Sequence, residues 1–248
     1  RNKSFNDHLA EQAQEVLFLR DHHSTTPMDS LLLPEIQRVL ENSSKNLLLV
    51  VHTYGSHSTY SDRYERHHAH FQPDLVSKST KENREMLINA YDNSIRYTDR
   101  MLYDIIQQLD STDRPAVMLY VSDHGEDIYD DNRNLFLHAS PWPSYYQMHV
   151  PMFVWANEQY RAEYTQRIAL LESRTNEPIQ TDCLFPTILG LGGISTAYGQ
   201  DSLSLTSDRY KTKELRTYLN DHNEPLAFDK CLEEEDFQAI EKHKLRPY

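Results

Sequence analysis

The sequence predicts an α/β protein in which helices cover both faces of a mostly parallel sheet. Short apolar runs, among them residues 47–51 and 117–121, show no alternation of apolar and polar side chains. Such runs are typical of strands that are buried on both faces. Between them, apolar residues recur at three- and four-residue steps, as on the buried face of a helix. Alternating strand and helix signals of this kind favour a parallel sheet.

Four segments have the length and composition of strands. The predicted strands are residues 15–20, 46–52, 116–122 and 151–156. Four strands are few for a parallel sheet of this size. The chain also begins with Arg1 and not with methionine, so we expect it to be a piece of a longer protein whose upstream part supplies the missing N-terminal strands.

Four helices are predicted between and after these strands. Their ranges are residues 34–40, 81–109, 159–171 and 183–191. Pro34 suits a first helical turn, where its missing N–H costs nothing. The segment 81–109 carries the strongest helical periodicity, and Gly190, Gly192 and Gly193 end the last predicted helix.

The length and composition indicate one domain. The chain has 248 residues, of which 38% are hydrophobic, enough for one sizeable core. We expect this core to span about residues 14–195, followed by a peripheral, polar segment with helices at about 198–248. Cys183 and Cys231 could form a disulfide or remain as thiols, and their spacing does not indicate a cysteine metal site.

Charge and hydropathy exclude several classes of function. The formal net charge is −13, and the mean hydropathy is −0.73. This acidic balance argues against a nucleic-acid groove and against docking on anionic lipid. No apolar run approaches the roughly 20 residues of a membrane span.

Polar residues with metal-binding side chains follow two of the predicted strands. The first strand, 46–52, runs into a segment with His52 and His57, and the strand 116–122 runs into Asp123 and His124. In open parallel sheets, ligands bind outside the carboxyl ends of the strands, so these segments should converge. His138 is close enough in sequence to fold back over the same edge. Nitrogen and oxygen donors of this kind suit zinc or manganese.

Each of these residues alone is as well explained by a core histidine or a turn-capping group. The set together predicts a metal site, because five such side chains gather at the ends of apolar strands. Glu126 follows closely and could orient a histidine ligand, or it could simply belong to the turn.

Several segments, in this order and spacing, resemble the phosphoethanolamine transferases of the alkaline phosphatase and sulfatase superfamily. The resemblance spans about residues 29–191 and rests on the segments HTYGSH (52–57), INAYDNSI (88–95), TD (98–99), YVSDHGE (120–126), LH (137–138) and VPMFVW (150–155). The motif SDHGE alone marks only the superfamily. Its combination with the other segments is considerably more specific.

The resemblance implies an alkaline phosphatase/sulfatase-like fold and a zinc-dependent reaction. By it, Asp123 and His124 are zinc ligands, His57 and His138 bind the substrate phosphate or a second zinc, and His52 lies close by. A zinc-activated threonine would take phosphoethanolamine from phosphatidylethanolamine and pass it to an envelope glycan such as lipid A or lipopolysaccharide core. The implied location is the bacterial inner membrane, with this domain facing the periplasm and membrane contact through a missing N-terminal segment.

Three departures from the family pattern bear on this interpretation. No part of this chain corresponds to the family's threonine nucleophile or to an acidic zinc ligand, so we expect the isolated chain to be inactive. Ser58 and Thr59 follow His57 where many relatives carry Gly-Pro. The stretch between His124 and His138 is a little longer than in the colistin-resistance enzymes, which leaves the acceptor open.

Two other functions remain open at this stage. One is a sulfatase or phosphodiesterase of the same superfamily, which would transfer its group to water. The other is a non-catalytic envelope module that kept the fold and binds lipid or a partner protein. The Tyr-Asp-Asn helix and the Gly-Ser-His segment disfavour the first, and the retained metal-type residues disfavour the second.

Overall fold

A computed structural model describes residues 10–19, 28–138, 143–213, 216–220, 222 and 224–244. Within these ranges the helices are α1 (Leu33–Asn42), α2 (Arg84–Asp110), α3 (Tyr145–Met148), α4 (Glu158–Glu163), α5 (Thr165–Ser173), α6 (Leu184–Leu191), α7 (Phe228–Cys231) and α8 (Glu234–Lys242). The strands are β1 (Val117–Val121), β2 (Asp127–Ile128), β3 (Phe136–Leu137), β4 (Met152–Ala156), β5 (Thr217–Leu219) and β6 (Pro225–Ala227). This mixture agrees with the predicted α/β class.

Helices α1 and α2 confirm the two predicted helices of the N-terminal half. Pro34 lies in the first turn of α1, where a proline fits without loss of a hydrogen bond. Ile36 of α1 packs against Met101 and Ile105 of α2, so apolar burial joins the two helices. Helix α2 is 27 residues long and runs past the region where the predicted site residues lie.

The strands of the described part of the chain pair in a way that differs from the predicted parallel sheet. Strand β1 pairs with β4 in antiparallel register, with Val117 opposite Ala156 and Val121 opposite Met152. The pairs β2–β3 and β5–β6 are also antiparallel. Both longer strands were predicted from their apolar runs, but such a run does not specify the direction of the partner strand.

Two of the predicted strands are not formed. Residues 46–52 have no regular secondary structure, and within the described ranges no strand pairs with them. Leu48 and Val50 are 69% and 78% exposed. Residues 15–19 also form no strand, and Arg20 lies outside the described residues. A strand forms only where a neighbouring strand pairs with its backbone N–H and C=O groups. Within the described ranges, neither segment has such a neighbour.

The helix predicted over residues 159–171 is two helices, α4 and α5. The break lies at Tyr164, whose backbone angles, φ −118° and ψ 43°, are not helical. Asn157 caps α4 by accepting a hydrogen bond from the Tyr160 N–H. The predicted helix at 183–191 is confirmed as α6, and Cys183 at its start is a buried thiol.

The C-terminal segment folds back onto the middle of the chain. Leu232 and Ile240 pack with the buried ring of Tyr145, so α8 lies against α3. Cys231 is buried and, like Cys183, is a free thiol. Within the described ranges, none of the helices combines the length and apolar character that a membrane crossing requires.

Candidate metal centre

The turn that follows β1 is pinned against α3. Gly125 donates its N–H to the carbonyl of Gln147 at 2.8 Å. A Cβ atom at Gly125 would lie 1.9 Å from the carbonyl oxygen of Tyr146, a distance that no side chain could occupy. Only glycine allows the backbone of this turn to approach α3 so closely, and the approach fixes the direction of the neighbouring His124.

The short hairpin β2–β3 brings Glu126 and His138 together. Asp127 is opposite Leu137 in its register, so Glu126 just before β2 and His138 just after β3 are neighbours. The Nδ1 atom of His138 lies 2.7 Å from Oε1 of Glu126. This pairing confirms that His138 folds back over the end of β1, as the sequence predicts.

His124, Glu126 and His138 form a compact group of donor atoms. One ligand atom from each lies within 4.8 Å of the others. The imidazole rings of His124 and His138 stack with centroids 3.6 Å apart, and Nδ1 of His124 lies 3.7 Å from Oε1 of Glu126. Two imidazole nitrogens and a carboxylate oxygen are donors that zinc accepts, and three of them leave one position for a further ligand.

Tyr60 holds the other oxygen of the central carboxylate. Its hydroxyl donates to Oε2 of Glu126 at 2.9 Å, and both side chains are buried. Burial raises the pKa of Tyr60, and the negative charge of Glu126 raises it further, so the hydroxyl stays protonated as a donor. The ring of Tyr91 on α2 packs edge-on against Tyr60 at 5.1 Å. Sequence reasoning missed Tyr60, because it is one of 16 tyrosines.

The loop with His52 and His57 approaches the group from the other side. The carboxylate of Asp29 accepts hydrogen bonds from the N–H groups of Tyr54 at 2.9 Å and Gly55 at 2.8 Å. Gly55 has a φ of 57°, a conformation that glycine adopts without strain. The ring of His57 then lies 6.3 Å from that of His138. His52 is exposed, and it is close enough to Asp29 to act to lower the pKa of that carboxyl group.

Asp123 lies at the rim of the centre. Its side chain is 84% exposed, and Oδ2 is 3.8 Å from Nε2 of His124. The other oxygen, Oδ1, accepts the His124 N–H at 3.1 Å. Asp123 is therefore next to His124 but outside the three-donor group, and its role as a ligand stays a prediction.

Comparison with known proteins identifies the family of the chain. Residues 2–194 match the family model named Sulfatase. The chain is 33% identical over 178 residues to the Kdo(2)-lipid A phosphoethanolamine 7''-transferase of Salmonella typhimurium, an alignment that covers 69% of this chain and 31% of that protein. The chain therefore spans less than a third of the length of this curated relative.

Solved structures share the fold. The soluble domain of lipooligosaccharide phosphoethanolamine transferase A from Neisseria meningitidis superimposes with a TM-score of 0.74 at 27% identity, over 83% of this chain and 64% of that one. The C-terminal periplasmic domain of EptC from Escherichia coli, solved in complex with zinc, has a TM-score of 0.74 at 21% identity, over 95% of this chain and 66% of that one. The second likeness speaks for the fold alone. Together they confirm the predicted alkaline phosphatase/sulfatase-like class.

Because the family match covers most of the chain and the related sequences and structures agree with it, the chain belongs to the sulfatase family, and its predicted resemblance to the phosphoethanolamine transferases of that family is confirmed.

Proposed function

We propose that this chain is part of a zinc-dependent enzyme that transfers phosphoethanolamine from phosphatidylethanolamine to an envelope glycolipid such as lipid A or lipopolysaccharide core. The observation that carries the proposal is the three-donor group of His124, Glu126 and His138 at the end of β1. The relatives support phosphoethanolamine as the transferred group and a glycolipid as the acceptor, because they are transferases named for phosphoethanolamine and for lipid A or lipooligosaccharide. A periplasmic position belongs to the same proposal.

The donor group suits zinc in both chemistry and preorganisation. Glu126 is 8% exposed, and its two oxygens are already engaged by His138 and Tyr60. A bound zinc would neutralise charge on the phosphoryl oxygens and lower the pKa of the attacking hydroxyl.

The remaining predicted residues take roles around this group. We assign Asp123 with His124 to the metal, since the Asp123 carboxylate is 3.8 Å from the His124 ring. His57, whose ring is 6.3 Å from His138, is assigned with it to the phosphate of the substrate or to a second zinc, and His52 stays close by. Cationic or hydrogen-bonding imidazoles there would hold the phosphoryl oxygens as charge develops on them.

The transfer itself needs a nucleophile from outside this chain. A threonine oxygen would attack the phosphorus and displace the diacylglycerol oxygen, which leaves with a proton and gives a phosphoethanolamine-threonine intermediate. An oxygen of the acceptor then attacks the same phosphorus, and the threonine regains its proton. Thr25 and Thr26 are not assigned this role and lie outside the described residues.

The test is mass spectrometry of envelope glycolipids from cells that express the full-length gene. The wild type is compared with the variant Glu126→Gln and with the control Glu85→Gln, which alters an exposed side chain at the start of α2. We expect phosphoethanolamine on a glycolipid in the wild type and the control, and a strong loss in Glu126→Gln.

Zinc content distinguishes the competing functions in the same preparations. Glu126 is one of the three donors and also binds His138, and loss of an orienting carboxylate alone typically weakens metal affinity about 10- to 100-fold. Glu126→Gln should therefore retain less zinc than Glu85→Gln. Wild-type cells that show no phosphoethanolamine, although the purified protein binds zinc, would favour a hydrolase of the same family. Absence of both would favour a non-catalytic module.

A further inference from the structure

The C-terminal helix α8 lies beyond the family match, which ends at residue 194, yet it carries a completely buried carboxylate. Asp236 has no exposed surface. It accepts hydrogen bonds from Nη1 and Nη2 of Arg133 at 2.8 and 3.0 Å. The N–H groups of Tyr145 and Glu233 donate to it at 2.7 and 2.9 Å. Four donors around one carboxylate satisfy both oxygens of a buried charge.

Arg133 connects this carboxylate to the hairpin of the metal centre. It lies in the loop between β2 and β3, and its side chain is 13% exposed. The guanidinium also binds Asp131, with Nη2 at 2.6 Å from Oδ2. A bidentate guanidinium–carboxylate pair fixes direction as well as distance. The loop that sets the separation of Glu126 and His138 is therefore held from α8.

Asp236 also holds the helix on which the His124 turn rests. The N–H of Tyr145 begins α3, and that helix is fixed from the other side by Asp127. The carboxylate of Asp127 accepts a hydrogen bond from the Ser144 hydroxyl at 2.7 Å and another from the side-chain amide of Gln147. The carbonyl of Gln147 in turn receives the N–H of Gly125. Asp236 on α8 thus contacts both the β2–β3 loop and α3, the two elements that position the metal-binding donors.

We propose that Asp236 is a positioning residue of the metal centre, and that α8 sets metal affinity by fixing the hairpin and α3 in relation to each other. The proposal rests on the proposed function for the identity of the centre. Its physical basis is that loss of the Asp236 charge breaks the two-pronged contact between the β2–β3 loop and α8. Arg133 is then left paired with Asp131 of its own loop. The β2–β3 loop would then be held less firmly from α8.

A purely structural role makes a different prediction. If Asp236 only docked α8, its loss would loosen α8 and leave the donors of the centre in place. A positioning role requires that the hairpin and α3 loosen while the rest of the chain stays folded. Hydrogen exchange of backbone amides separates the two, because it reports local opening segment by segment.

The experiment compares Asp236→Asn with Glu241→Gln in the chain described above. Glu241 is an exposed acid on the same helix, so the control removes a charge without touching Arg133. Two quantities are measured, the exchange rates of residues 124–138 and 145–148 and the Kd for Co²⁺ from its visible absorption. We expect Asp236→Asn to exchange faster in both segments and to raise the Kd about 10- to 100-fold, with no change in Glu241→Gln.

Arg133→Lys keeps the positive charge but loses the two-pronged contact, and it serves if Asp236→Asn does not fold. It should raise the Kd less than Asp236→Asn and speed exchange in the hairpin. Exchange that rises only in α8, or a Kd equal to that of Glu241→Gln, would overturn the proposal. If the wild type takes up no Co²⁺, the metal in the proposed function fails, and the exchange rates still decide whether Asp236 positions the hairpin.

Discussion

The two sides of the candidate centre are built differently. The hairpin side, residues 123–138, presents its donors from a network of buried side chains that reaches α3 and α8. The loop side, residues 52–57, has no strand partner within the described ranges and is held chiefly by two backbone hydrogen bonds to Asp29. Asp127 and Asp236 on the hairpin side are buried, whereas Asp29 is only partly buried.

This difference suggests a division of labour between the two sides. A metal needs donors at fixed distances, and buried networks with every group satisfied supply that rigidity. Under the proposed function a phosphoryl group arrives with one substrate and leaves on another, and a loop that can adjust would serve it. Segments with few buried contacts and exposed hydrogen bonds open locally at low free energy, and the loop side has both features.

The largest expected effect comes from breaking the hairpin side at Gly125. In Gly125→Ala the new Cβ would lie 1.9 Å from the carbonyl oxygen of Tyr146. The Cβ is bonded directly to the backbone of the turn, and the oxygen belongs to the backbone of α3. Neither atom can rotate away, so the turn or α3 must shift. We expect the free energy of unfolding to fall by about 3 kcal/mol, measured by urea denaturation, and Co²⁺ binding to be lost.

Gly192→Ala is the matched control for this change. Its Cβ would meet the end of the Ile194 side chain at 3.3 Å, which can rotate away. A small effect there together with a large one at Gly125 supports a rigid hairpin side. Equal effects at the two glycines would argue that the turn has room to move.

A smaller effect is expected from breaking the loop side at Asp29. Asparagine keeps the shape of the side chain but offers one oxygen where the carboxylate offers two, so one of the N–H groups of Tyr54 and Gly55 loses its acceptor. We expect Asp29→Asn to lower the free energy of unfolding by about 1.5 kcal/mol. Amide exchange should rise over residues 53–57, with little change in the hairpin or in Co²⁺ affinity.

Asp62→Asn is the control, because Asp62 is an exposed acid in the turn that begins at Tyr60. It changes the net charge by the same amount. A loss of Co²⁺ affinity in Asp29→Asn but not in Asp62→Asn would mean that the loop side also fixes the metal. The division of labour proposed above would then be wrong.

The comparison also shows what the sequence could predict. Strands β1 and β4 and helices α1, α2 and α6 follow from periodicity and local turn chemistry, which are short-range. The grouping of His124 with His138 followed from placing both at the end of one strand. Those predictions needed no knowledge of which distant segments touch.

Apart from the break of the predicted helix at Tyr164, the parts that sequence reasoning missed depend on distant partners. Tyr60 and Glu126 are 66 residues apart, and Arg133 and Asp236 are 103 residues apart. In the sequence, Asp236 stands in a run of acids that is typical of a solvated helix face. The antiparallel pairing of β1 with β4 was missed for the same reason, and so was the lack of a strand partner for residues 46–52 within the described ranges. Tertiary contacts choose the partner of a strand.

The smallest expected effect sharpens the comparison through pH. Burial raises the pKa of Asp29 above its ordinary value of 3.8, although the N–H groups of Tyr54 and Gly55 and the charge of Arg63 act to lower it. The folded state therefore holds this proton more tightly than the unfolded state does. As pH rises from 3.8 through the raised pKa, the folded protein loses stability from this group.

Asparagine does not titrate, so the difference in unfolding free energy between the wild type and Asp29→Asn reports the titration of Asp29. The free energy of unfolding of the wild type minus that of Asp29→Asn should be largest at low pH and smaller at pH 7. Urea denaturation at a series of pH values, with Asp62→Asn alongside, measures this difference. A difference that grows with pH would mean that the two backbone hydrogen bonds outweigh burial, and that the loop side is anchored as firmly as the hairpin side.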